Sequence, residues 1–296
     1  MRGSKSFAAA SRLFDRKTRE RVWLLYAWCR ACDDLADAQD HGGGLGDQSG
    51  AKERLETIRT LTVKAFAGEA TDNPAFDALG LLSRETGLTE AMAGDVIAGF
   101  ALDAAGWRPR TETDMLRYCY HVAGAVGVMM AVVMGVAPDD DDTLDRACDL
   151  GLSFQLANIA RDVAEDDAAG RCYLPGEWLA AAGIAPDALM TDKEALAKLT
   201  ARLGAMQREY EVSARIGAAR LPFRCRWAVL SAAGIYGAIA RGVERDGVLA
   251  LDRRVTTSGA AKLGFVAKGL ADCFVRPANT PGPQPSRRDL AAYPPR

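Results

Sequence analysis

Aspartates recur four residues apart at two places in the chain, about 125 residues from one another, and only an α-helix turns that spacing into a shared face. The first group is Asp33-Asp34-Leu35-Ala36-Asp37. The second is Asn158-Ile159-Ala160-Arg161-Asp162-Val163-Ala164-Glu165-Asp166. Read upstream, Tyr26, Arg30, Asp33 and Asp37 share one helix face, and Gly151, Gln155, Asn158, Asp162 and Asp166 share another. Apolar residues flank both: Leu25, Cys29, Cys32 and Ala36 beside the first, Leu152, Leu156, Ile159 and Val163 beside the second. Like charges at this spacing repel by roughly 0.2–0.5 kcal/mol in an isolated helix. Set on a part-apolar face, they are costly without a cation to share. A lone pair of this kind is usually a solvated surface. Two such stripes, each with an arginine in register, argue for two helices facing each other across a site.

The donors on these faces are carboxylate and amide oxygens, all hard. They suit Mg²⁺, which keeps several waters and takes one or two carboxylates plus substrate phosphates. Two facing stripes would hold several such ions around a diphosphate. With only His41 and His121, a histidine-based metal site or triad is nearly excluded.

The remainder of the chain also reads as helix. Periodicity and breakers predict helices over 16–40, 50–67, 73–86, 89–105, 111–136, 141–167, 192–219 and 224–248, with a shorter one over 259–274. No stretch shows sustained alternation bounded by turn residues, so no strand is expected. His41 opens a glycine-rich loop, and Asp139 to Asp142 read as a helix entry where carboxylates favour the dipole. We expect one all-helical domain over residues 1–275. From Arg276 onward lie six of the twelve prolines, and 276–296 is expected to be a disordered tail.

The balance of 49% hydrophobic residues and a net charge of −2 gives no reason to expect a nucleic-acid partner. The longest apolar run, 122–137, is too short to span a bilayer and is broken by Gly124, Gly127 and Gly135. It reads as a helix buried on all sides, its glycines allowing either close helix approach or tunnel width. No secretory signal precedes the first helix, so the expected compartment is the cytoplasm. The seven scattered cysteines read as buried free thiols, including Cys29 and Cys32 in mid-helix.

Together the motifs carry a resemblance. Tyr26-Ala-Trp-Cys-Arg30-Ala-Cys-Asp33-Asp34-Leu-Ala-Asp37, Tyr118-Cys-Tyr-His-Val-Ala-Gly-Ala-Val-Gly127 and Asn158-x-x-Arg161-Asp162-x-x-Glu165-Asp166, followed by Arg171-Cys-Tyr-Leu-Pro175, resemble the squalene/phytoene synthase family. The likeness runs in order from residue 3 to about 275. Gly3-Ser4-Lys5-Ser6-Phe7, Arg171 to Pro175 and Tyr236-Gly-Ala-Ile-Ala-Arg241-Gly-Val-Glu-Arg-Asp-Gly247 point to its bacterial, phytoene-forming members.

The resemblance implies an all-α isoprenoid-synthase bundle around a central cavity. It also implies head-to-head condensation of two geranylgeranyl diphosphates, through prephytoene diphosphate, to phytoene and diphosphate. By motif match, Asp33, Asp37, Asn158, Asp162 and Asp166 correspond to ligands of two to three Mg²⁺ or Mn²⁺ ions. Ser4, Lys5, Ser6, Tyr26, Arg30, Gln155, Arg161 and Tyr236 fall where the family contacts substrate, and Tyr118 matches a cavity tyrosine near the reacting carbons. Other readings stay open: the tyrosines as core residues with a bonded hydroxyl, Arg30 as a helix ion pair with Asp33, Gln155 as a buried polar contact. No NADPH is expected, peripheral contact with a membrane is, and so is association with other carotenoid enzymes. Relatives that make squalene or dehydrosqualene from farnesyl diphosphate, or that serve as non-catalytic assembly factors, are the alternatives.

Overall fold

The structure, a computed structural model, describes residues 11–38 and 49–292. Among them every regular element is helical: α1 (Arg16–Ala36), α2 (Ala51–Ala67), α3 (Pro74–Thr86), α4 (Glu90–Ala104) and α5 (Glu112–Val133). Then come α6 (Asp141–Ala168), α7 (Gly176–Ala182), α8 (Lys193–Ala218) and α9 (Phe223–Asp246). The chain closes with α10 (Leu249–Asp252), α11 (Gly259–Asp272) and α12 (Arg287–Ala292).

Side-chain caps set most of the starts. Asp15 accepts the Thr18 N–H at 3.0 Å ahead of α1. Thr111 and Asp114 form a reciprocal capping box on α5. The expected first helix ran to residue 40, but α1 ends at Ala36 and Ala38 takes a positive φ of 51°. The short helices α7, α10 and α12 span two turns or fewer, too little for periodicity to register.

Helix α6 is the axis of the molecule, with α5, α8 and α9 packed around it and α11 covering α9. Backbone meets backbone where α5 crosses α6. A Cβ on Gly127 would stand 2.3 Å from the Ala147 carbonyl oxygen, and one on Gly151 would stand 2.2 Å from that of Ala123. At Gly127 both readings of the apolar glycines hold: it permits close approach to α6, and it also lines the apolar cavity. Most of α5's apolar stretch, 72%, is buried inside the bundle. Its middle turn, Tyr120–Gly124, is π-helical, and His121 Nδ1 lies 2.8 Å from the Asp95 carbonyl oxygen on α4. All seven cysteines are free thiols, and every one except the half-buried Cys29 is buried.

The C-terminal segment departs from expectation. Up to residue 292 it is packed on the body. Leu290 is buried, Arg287 donates to Asp145 at 2.7 Å and to Asp141 at 2.8 Å, and Arg288 pairs with Asp141. Composition indicated disorder because prolines remove regular helix. The acidic entry of α6 supplies the partners that composition cannot show.

Candidate active site

Two adjoining cavities share Asp33. The larger, of 490 Å³, is apolar and runs between α1, α5, α6, α8 and α9. Tyr26, Gln155, Asn158 and Tyr236 line it together with Val122, Val126, Met130, Ala131 and Phe154. Tyr236 stacks on Phe154 with ring centroids 4.0 Å apart, so its ring is wall and its hydroxyl, raised in pKa by burial, points to a polar neighbourhood that includes Arg161. Residues of Val122 to Met134 on α5 and of Ala228 to Tyr236 on α9 contribute to the cavity wall.

The smaller cavity, of 190 Å³, collects Asp33, Asp37, Asp103, Tyr118 and Arg171. Phe100 and Tyr118 are its aromatic lining. Tyr118 stacks between Tyr173 at 4.7 Å and Trp107 at 6.0 Å. The Tyr118 hydroxyl donates to Asp103 Oδ1 at 3.2 Å, and the Tyr173 hydroxyl does the same at 3.2 Å. Burial pushes both phenols up, so these hydroxyls stay protonated as donors. Asp103 is the centre of the cluster, and no motif announced it. It stands alone at the end of α4, without a four-residue partner.

The acidic stripes are arranged as charge held in check. Asp33 is pushed up to about 6 by burial, with Asp37, Asp34 and Asp103 adding repulsion against the pull of Arg30. Asp103 also rises to about 6, by burial, opposed by Arg171 and the two tyrosine hydroxyls. Asp166 rises to about 7 by burial and by its neighbour Asp162, again opposed by Arg171. Arg171 therefore sits between the stripes, its Nη2 3.4 Å from Asp37 Oδ1, and the turn after α6 places it there through its N–H bond to the Asp166 carbonyl at 2.8 Å. Asp33, Asp37, Gln155 and Asn158 line the cavities; Asp162 and Asp166 line neither, Asp166 feeling the charge of Asp103 and Asp162 being paired with Arg161 and Arg254.

Arg30 and Arg161 stand among the aspartates. Arg30 forks onto Asp33 at 3.1 Å and Asp34 at 2.8 Å. Arg161 Nε bonds Asp162 Oδ1 at 2.6 Å. Asp162 is also clasped by Arg254 at 2.9 and 3.1 Å, a residue in the loop after α10 that gave no signal in the sequence. Ser4, Lys5 and Ser6 lie outside the described residues.

Among the described residues no three carboxylate, imidazole or thiol side chains form a ready-made metal cage. The donor set nonetheless fits Mg²⁺ or Mn²⁺. Its oxygens are hard, and Asp33 and Asp166 are raised by burial and by neighbouring carboxylates, a cost that a divalent ion would relieve. Such ions would be shared with phosphate oxygens, as Mg²⁺ commonly is.

The sequence model of the squalene/phytoene synthase family matches residues 1–261. The chain belongs to the squalene/phytoene synthase family. A phytoene synthase from Pseudescherichia vulneris is 48% identical over 89% of this chain and 86% of its own length. A 15-cis-phytoene synthase from a Paracoccus strain is 43% identical over 99% and 94%. Among solved structures, a dehydrosqualene synthase in complex with ligand superposes with a TM-score of 0.79 at 27% identity, covering 91% of this chain and 92% of that one. A squalene synthase from Alicyclobacillus acidocaldarius gives 0.72 at 25%, over 81% and 88%. The fold is the helical isoprenoid-synthase bundle of this family, and the chain is a prenyltransferase.

Proposed function

We propose that this enzyme is a phytoene synthase. It joins two geranylgeranyl diphosphates head to head, through prephytoene diphosphate, and releases phytoene and two diphosphates. The observation that carries the reading is one constellation: acidic stripes of a diphosphate-binding kind at the end of a long apolar cavity, in a chain close to curated phytoene synthases.

Mg²⁺ held by Asp33, Asp37, Asn158, Asp162 and Asp166 would neutralise the diphosphate as the allylic carbon–oxygen bond breaks. Arg30, Arg161, Arg171 and Arg254 are the guanidinium donors at hand for phosphate oxygens. Asp103 fixes the Tyr118 and Tyr173 rings by accepting both hydroxyl hydrogens, which holds Tyr118 in place in the wall of the smaller cavity. The aliphatic wall of α5 and α9 excludes water that would quench it. The same reading puts the enzyme in the cytoplasm, in peripheral contact with the membrane that receives the hydrocarbon. Release from native membranes by salt is the expected result, and retention like an integral protein would contradict it.

The deciding experiment gives purified enzyme Mg²⁺ and either geranylgeranyl or farnesyl diphosphate, without NADPH, and identifies the hydrocarbon. Phytoene from the first substrate is expected. Faster turnover of farnesyl diphosphate to dehydrosqualene would overturn the assignment in favour of the shorter-chain reaction, and no hydrocarbon from either would favour an assembly role.

A further inference from the structure

The cavity has a far end that diphosphate chemistry does not explain. Along α6 its lining passes from Asn158 through Gln155, Gly151 and Ala147 to Arg146 and, in the first turn of the helix, Thr143, and the helix between Asn158 and Arg146 is about 18 Å long at 1.5 Å per residue. A charge at the end of an apolar cavity is costly unless it is met, and Arg146 is only 5% exposed. Its charge is met away from the cavity. Nη2 donates to the Thr280 carbonyl at 2.8 Å and to Asn279 Oδ1 at 3.3 Å. Nη1 donates to Ser213 at 3.2 Å, and Nε stands 3.5 Å from Asp142. The guanidinium is thus engaged by the C-terminal segment and its neighbours, which leaves the aliphatic stem to close the cavity. That stem lies against Gly217, where a Cβ would meet Arg146 Cβ at 2.5 Å.

The segment that holds Arg146 is itself pinned through Arg287 to Asp141 and Asp145. It lies beyond residue 261, where the family match ends. We propose that the Arg146 stem is the end-stop that limits prenyl chain length, and that residues 279–292 are the latch that keeps it in place. The inference rests on the reading of the cavity as a prenyl tunnel.

The test is a competition between geranylgeranyl diphosphate and geranylfarnesyl diphosphate, one isoprene unit longer, on the full chain. Arg146→Ala is expected to raise the ratio of kcat/KM for the longer over the shorter substrate about tenfold, the scale on which a pocket discriminates by added space. Arg146→Met keeps a stem of similar length and should retain the wild-type ratio. Arg287→Ala, outside the cavity, should raise the ratio by a smaller factor, about threefold. A purely structural role would lower both rates together and leave the ratio unchanged, which overturns the end-stop; a shift in Arg146→Met as large as in Arg146→Ala overturns it too. A wild-type ratio in Arg287→Ala overturns the latch. No hydrocarbon from wild-type enzyme with either substrate overturns the functional reading, and the end-stop with it.

Discussion

Asp103→Asn is the substitution in which stability and turnover should move in opposite directions. The Asp103 carboxyl stands at about 6, against an ordinary 3.8, because burial and Asp37 outweigh Arg171 and two tyrosine hydroxyls. A carboxyl raised in the folded state holds its proton there more tightly than in the unfolded chain. Its ionisation therefore weakens the fold as pH climbs from about 4 to about 6, and the full cost persists above that. Two units at 1.36 kcal/mol each amount to about 3 kcal/mol. Asp103 is half-buried and open to the cavity, so screening brings the figure to about 1–2 kcal/mol. Asparagine has the same shape, carries no charge and still accepts a hydroxyl hydrogen at Oδ1.

Urea unfolding of the apoprotein in chelator should therefore show Asp103→Asn more stable than wild type by about 1–2 kcal/mol at pH 8, a gain that shrinks at pH 5. Turnover should fall about tenfold to a hundredfold, because a small misplacement of the Tyr118 and Tyr173 rings near the reacting carbons is expensive. A stability difference that is the same at both pH values would show that the carboxyl is not destabilised by ionisation. An unchanged kcat would remove Asp103 from the site.

Chelation should abolish activity, and Mg²⁺ or Mn²⁺ should restore it; turnover that persists in chelator rules out shared metal ions at the stripes. Asp33→Ala and Asp162→Ala should each cost at least about a hundredfold in kcat with the helical fold intact, since loss of an oxyanion-type stabiliser is worth that much. Asp34→Ala should chiefly raise KM, because Asp34 holds Arg30 at 2.8 Å, and an equal kcat loss at all three positions would place Asp34 in the site as well. Gly127→Ala forces a Cβ against the Ala147 carbonyl and should cost about 3 kcal/mol in thermal or urea unfolding, slowing geranylgeranyl and farnesyl diphosphate alike; an unimpaired melting profile would show that α5 and α6 are free to separate.

The helices were legible where apolar periodicity ran for several turns, as in α1, α6, α8 and α9. They were illegible where a helix of about two turns follows a proline, as with Pro175 before α7. The stripes were legible for a related reason: four-residue spacing is a property of one helix, and local geometry fixes it. The cavity face of α5 was not, because that helix is apolar all round and only the contact of Gly127 with α6 reveals which side is closed.

What sequence could not supply was the countercharge. Asp103 at the end of α4 and Arg254 in the loop after α10 are isolated residues in the chain, and Arg171 and Tyr173, though part of the Arg171–Pro175 motif, have no partner within reach along it. Tertiary folding brings Arg171 between Asp37 and the Asp103–Asp166 group, and Arg254 onto Asp162. Arg30 and Arg161 likewise serve the aspartates beside them. A site built to bind a polyanion together with divalent cations carries both kinds of charge, and without ligand each half neutralises the other. A diphosphate bound with divalent cations at these stripes would exchange these pairs: phosphate oxygens would take over the guanidiniums, and cations the carboxylates. Such an exchange would keep the buried charge balanced at both ends, which is the condition for packing this many ionisable groups against an apolar tunnel.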